Sequence, residues 1–211
     1  MRKVSFLLSA VMVAGLLITG CTKEPLNHLT NEESRIYITN YDSTVNFSNY
    51  STFSIADSVA VIDNSSAAKS LNAVDQAFIT AVTKYMKAAG YTLVEKGQKP
   101  DLGLNVSRIY QTSTGVISYP DYWSYYGGYW DPYYWGYGGF GYGMPFYTYS
   151  VYSVTEGALS VDMLDLKNVA TNKDKINLIW NGLIRGADIF NANTADSQVK
   201  ALFDQSTYLH K

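Results

Sequence analysis

The chain holds one cysteine, Cys21, and its surroundings name its chemistry. Arg2 and Lys3 form a short positive region. Val4 to Ile18 is an almost unbroken apolar run, and Leu17-Ile18-Thr19-Gly20-Cys21 closes it. An aliphatic residue, two small residues and a cysteine form the pattern of a bacterial lipobox. Residues 1–20 are then a lipoprotein signal peptide, and Cys21 becomes the acylated first residue of the mature chain. The run is short for a span, which needs about 20 apolar residues. An acylated Cys21 leaves no thiol for a disulfide, so the mature fold must hold without one.

Other reactive types are sparse. His28 lies in the segment after Cys21 and His210 beside the C-terminus, so neither is placed as a base for a serine. One lipidated cysteine and two distant histidines build no zinc pattern. Gly136-Tyr137-Gly138-Gly139 lies among aromatics, without the strand–turn–helix setting of a phosphate loop. The expectation is no cofactor, no metal and no catalytic residue. An envelope hydrolase using acidic residues is the alternative. It would need two or more of Asp101, Asp121, Asp131, Asp162 and Asp165 to converge in a pocket. Asp162 and Asp165 have odd spacing, which on a strand sends them to opposite faces.

The richest candidate for binding is residues 119–152, which hold twelve of the nineteen tyrosines, three tryptophans and seven glycines. Tyr122, Trp123, Tyr125, Tyr126, Trp130, Tyr133, Tyr134 and Trp135 are the candidate ligand contacts. So much glycine opposes one rigid helix or strand, and so much aromatic surface opposes full solvation. Three readings stay open. The insert covers a sheet face or edge; it stacks on sugars, peptidoglycan or an envelope protein; or it sits at the bilayer interface.

These residues need elements to hold them. Cleavage leaves 191 residues, enough for one domain, and takes the formal charge from −2 to −4. A weakly acidic body excludes nucleic acid and electrostatic binding to anionic lipid, so the acyl chains on Cys21 carry the membrane contact. Residues 21–34 form the lipidated cysteine and a polar tether, and 35–211 the folded domain. Arg35 to Tyr41 alternates as a strand, and Tyr50 to Ile55 is a second extended piece. Leu71, Val74, Phe78, Val82, Tyr85 and Ala89 form a helical stripe over 71–89, with Ser70 as cap and Gly90 as left-handed stop. Tyr91 to Val94 and Leu102 to Ile109 read as strands. Residues 158–166 and 176–185 alternate across a polar hairpin loop, and Ala195 to Gln205 is a helix capped by Thr194. The fold class is α+β: a single domain, a mainly antiparallel sheet, two helices on one face and a long Tyr/Gly-rich insert.

Three stretches resemble a family of bacterial lipoproteins known as domain of unknown function 4136. Tyr41-Asp42 with Asn46-Phe47-Ser48-Asn49-Tyr50-Ser51-Thr52-Phe53 is similar to its opening motif. Gly90-Tyr91 and Lys99-Pro100-Asp101-Leu102 form the second match. Gly157 to Asp162 with Leu178-Ile179-Trp180-Asn181-Gly182 forms the third. Asn46 stands where the family has Asp, and Asn181 where it has Arg. The resemblance runs from about Tyr37 to Phe203 and implies an anchored α+β domain with no catalytic residues to carry over. From the residues themselves, Phe47, Phe53 and Trp180 are core or sheet-face aromatics, and Gly182 marks a bulge or close packing.

The combined expectation is a non-enzymatic lipoprotein of the cell envelope, anchored in the outer membrane with its domain on the periplasmic or the surface side. Thr22 stands where some lipoproteins carry an inner-membrane-retaining Asp. The candidate partners are membrane lipid through Cys21, and peptidoglycan, a glycan or an envelope protein through the insert.

Overall fold

The computed structural model describes residues 29–63, 66–110, 132–137, 157–169 and 176–211. Cys21 and most of the insert, including Tyr122, Trp123, Tyr125, Tyr126 and Trp130, lie outside the described residues. The chain divides into Met1–Glu33 and Ser34–Lys211. In the first unit, Thr30 N and Oγ1 each donate to Glu33 Oε2 at 2.9 Å.

The second unit is an α+β fold around one sheet. Its strands are β1 (Ile36–Tyr41), β2 (Thr52–Ile55), β3 (Val59–Asp63), β4 (Ser66–Ser70), β5 (Thr92–Leu93), β6 (Leu102–Tyr110), β7 (Ala158–Asp165) and β8 (Asn177–Arg185). Helix α1 spans Ala73–Ala88 and α2 spans Ala195–Asp204. The strand order is β1-β8-β7-β6-β2-β5, with β3 pairing β6 and β4 beyond that path.

The sheet is mixed rather than simply antiparallel. β1–β8, β8–β7, β7–β6 and β3–β4 are antiparallel, while β2–β5, β2–β6 and β3–β6 are parallel. Helix α1 lies between the early strands and β6 and carries the chain back across the sheet, so β6 starts in the direction of β2 and β3. The pair β3–β4 was not expected. Ser66-Ala67-Ala68-Lys69-Ser70 has no β-branched or aromatic residue, so its strand signal is weak.

Alternation along β6 and β7 sorts side chains to two faces. Leu102, Leu104, Val106, Leu159, Val161 and Met163 join Phe78, Val82 and Met86 of α1 and Val199, Leu202 and Phe203 of α2 in the larger core. Both helices therefore share one face. Phe47, Phe53 and Trp180 are core residues there, and Trp180 Nε1 donates to Ser206 Oγ at 3.0 Å. A Cβ on Gly182 would come within 2.7 Å of Leu202 and Trp180, so the glycine permits close helix–strand approach. The smaller core lies on the opposite face and contains Ile109, Leu164, Leu166, Ile176, Leu178 and Trp135.

Helix α1 starts later than its stripe. Asn72, not Ser70, is the N-cap: its Oδ1 accepts from Val74 N and Asp75 N at 2.9 and 3.0 Å, and Asp75 Oδ2 accepts from Asn72 N at 2.9 Å. Ser70 instead donates its hydroxyl to Asp75 Oδ2 at 2.6 Å. Leu71 precedes the helix and is exposed. The C-terminus closes on Gly90 at φ +101°, with Tyr91 N donating to Met86 O at 3.1 Å. At α2, the Thr194 hydroxyl makes no capping bond and accepts from Gln198 Nε2 at 2.8 Å. Among the described residues no helix is long and apolar enough to cross a membrane.

Candidate functional site

Pro132–Trp135 forms a single 3-10 turn that roots the described part of the insert in the fold. Trp135 is fully buried. Its ring lies over Gly103 of β6, where an added Cβ would stand 3.0 Å from the indole and 3.0 Å from Leu166. The glycine opens room for a tryptophan to reach the sheet. Tyr134 packs edge-on to Trp135 at 4.9 Å. Its hydroxyl donates to Asp57 Oδ1 at 3.2 Å, and Lys96 Nζ sits 4.2 Å from its ring centre and 2.7 Å from Asp57 Oδ2. The hydrogen bond from Lys96 holds the Asp57 carboxyl below its usual range, and burial pushes the Tyr134 phenol up. Gly136 takes φ +85° against the backbone of Lys96 and Gly97. Tyr137 donates to Pro100 O at 2.8 Å, and burial, with Asp101 and Asp165 nearby, raises its pKa to about 12.

The three described candidates among the eight aromatics thus separate. Trp135 belongs to the core, a correction to its reading as a ligand contact. Tyr134 and Tyr137 are half-buried anchors. Tyr133 is 78% exposed. In a tract where aromatics are interleaved with glycines and polar residues, no period told inward from outward positions.

A second feature was missed. A cleft of about 540 Å³ opens between the Asp42–Tyr50 segment, the end of β7 and the start of β8. Asp42, Thr44, Asn46, Asn49, Asp165, Asn168 and Asn177 line it, with Val45 and Ile179 as apolar patches. Asp165 accepts from Asn168 N at 3.1 Å and from Asn168 Nδ2 at 2.7 Å. Tyr50 lies against this pair, accepts from Asn168 Nδ2 at 3.3 Å, and has its pKa pushed up by burial and then by Asp165. Lys167 Nζ is bound to Asn49 O at 2.6 Å. Much of the opening family-like motif forms this wall; its polar residues read as turn formers in the sequence because Asn and Asp favour turns.

The acids that a hydrolase would need do not meet in the cleft. Asp162 faces the other side of the sheet, where Asn181 Nδ2 donates to it at 2.6 Å and Ser160 Oγ at 3.1 Å. Asp165 faces the cleft, as the odd spacing required. Asp101 accepts from Ser51 N and Thr52 N at 2.6 and 3.2 Å. Asp121 and Asp131 lie outside the described residues. Among the described residues, no three histidine, cysteine or acidic side chains are grouped to hold a metal ion.

The model of the family described as Domain of unknown function (DUF4136) matches residues 38–206. The chain belongs to this family. A crystal structure of a DUF4136 family protein from Bacteroides thetaiotaomicron superposes with a TM-score of 0.65 and 32% identity, covering 84% of this chain and 98% of that one. A search of curated proteins gives no match.

Proposed function

We propose that this DUF4136 protein is a lipid-anchored, non-enzymatic binding domain of the bacterial cell envelope. Acylated Cys21 holds it in the outer membrane, and the aromatic insert meets an envelope partner. The observation that carries the binding role is the split within one turn: Trp135 is buried in the core, while Tyr133, two residues away, is 78% exposed. A buried tryptophan fixes the turn at low entropic cost, and an exposed tyrosine beside it presents aromatic surface to a ligand. Tethering raises local concentration, so a weak contact suffices.

Co-sedimentation of the purified lipoprotein, in detergent, with isolated peptidoglycan tests the reading. Wild type is expected in the pellet, and Tyr133→Ala in the supernatant with unchanged thermal stability. Equal pelleting of the two proteins would remove the insert from binding.

A further inference from the structure

The polar cleft beside β1 is a second site, lined by none of the described insert residues, and we propose that it takes a neutral saccharide. The inference rests on the reading of the chain as a binding domain. At about 540 Å³ the cleft lies within the range of small-ligand pockets. Its chemistry selects among ligands. Among the described residues the one cation on its wall, Lys167, is bound to the Asn49 carbonyl and lies 4.0 Å from Asp101, while Asp42 and the buried Asp165 line the cleft with two carboxylates. Phosphates and other anions are disfavoured by that balance.

Carboxylates accept and amides both donate and accept, the complement needed by adjacent hydroxyl groups. Part of that complement is unspent. Asp42 uses Oδ1 for Thr44 N and Oγ1, at 2.9 and 2.7 Å. Asn46 uses Oδ1 for Ser48 N and Oγ, at 3.1 and 2.7 Å. Among the described residues, Asp42 Oδ2, Asn46 Nδ2 and the Asn177 amide have no hydrogen-bond partner. The short-range bonds of Asp42 and Asn46 also fix those two side chains, so little order remains to be imposed on them by binding. Val45 and Ile179 supply an apolar strip for the C–H face of a sugar ring. A peptide would find no deep apolar pocket among these residues, whose apolar members are Val45 and Ile179 beside Tyr50.

Saturation-transfer NMR on the full lipoprotein in detergent tests the site against glucose, galactose, mannose, N-acetylglucosamine and their disaccharides. At least one is expected to bind, about tenfold more weakly to Asn177→Ala, which removes a hydrogen-bonding amide, and unchanged by Tyr133→Ala. Thr44→Trp, at an exposed rim position, fills the cleft without touching the core and is expected to abolish binding. Silence across the panel overturns the proposal. Binding lost in Tyr133→Ala and kept in Asn177→Ala and Thr44→Trp also overturns it, moving the sugar to the insert and leaving the broader reading intact. Calcium alone binding by calorimetry and displacing the sugar would reassign the cleft to a cation.

Discussion

Trp135 and Tyr133 carry opposite consequences although both sit in the same short turn. Trp135→Ala removes a fully buried indole from the face opposite the helices and leaves a cavity over Gly103. It is expected to cost about 3–5 kcal/mol, read by denaturant unfolding. Tyr133→Ala touches no core and is expected to change stability by no more than about 0.5 kcal/mol. Equal effects would refute the in-and-out arrangement. Composition alone could not separate the two residues, because Tyr133, Tyr134 and Trp135 are consecutive aromatics in a stretch that carries no period. By contrast, Phe53 and Trp180 were legible as core because each lies in a strand whose alternation names its face.

A buried ion pair joins β6 to α1. Arg108 of β6 brings Nε to 2.8 Å from Asp75 Oδ1 of α1, at an angle too bent for a hydrogen bond, and Nη2 donates to Asp75 Oδ2 at 3.3 Å. Asp75 is fully buried and also closes the capping box of α1. Arg108→Met leaves that carboxylate without its counter-charge, and a loss of about 3 kcal/mol or more is expected in thermal or chemical unfolding. Combining it with Asp75→Asn should recover part of the loss; a pair worth no more than a surface bridge would show neither effect. Both helices were legible from their stripes, and the long strands from alternation. The exact cap was not, because Ser70 and Asn72 are both cap residues, and only the packing of Arg108 and Asp75 decides between them. β3–β4 escaped notice since pairing to β3, itself paired to β6, rather than local propensity, holds Ala67 and Ala68 in a strand.

At the scale of the molecule, the domain buries phenols on both sides of the sheet. Tyr91 is raised to about 12 by burial and Tyr137 to about 12 by burial and nearby acids; Tyr50 and Tyr134 shift the same way. Their ordinary value is about 10. A raised folded-state pKa means that the native protein holds more protons than the unfolded chain between those values. The stabilisation is therefore complete below about pH 10 and is lost as pH rises towards about 12. Melting temperature should fall steeply across that window, together with tyrosinate absorbance; a flat profile would contradict the burial of these rings. On the acid side Asp57 is held low by Lys96, so its small, solvent-screened contribution is present above about pH 4 and lost as pH falls through its lowered value.

The fold class was legible because the two hydrophobic periods are clear outside the insert. The mixed strand order was not, since parallel neighbours are set by how α1 returns the chain. The cleft was hidden for another reason: its residues come from segments more than 100 positions apart, and each is an ordinary turn residue on its own. Only Cys21 stated its chemistry locally, and the anchored envelope role depends on it. The most direct test is membrane fractionation of cells expressing the full chain or Cys21→Ala. The account predicts wild type in the outer-membrane fraction with an acylated N-terminal cysteine, and the variant without acyl chains and released from membranes. Unchanged membrane association of Cys21→Ala would contradict it.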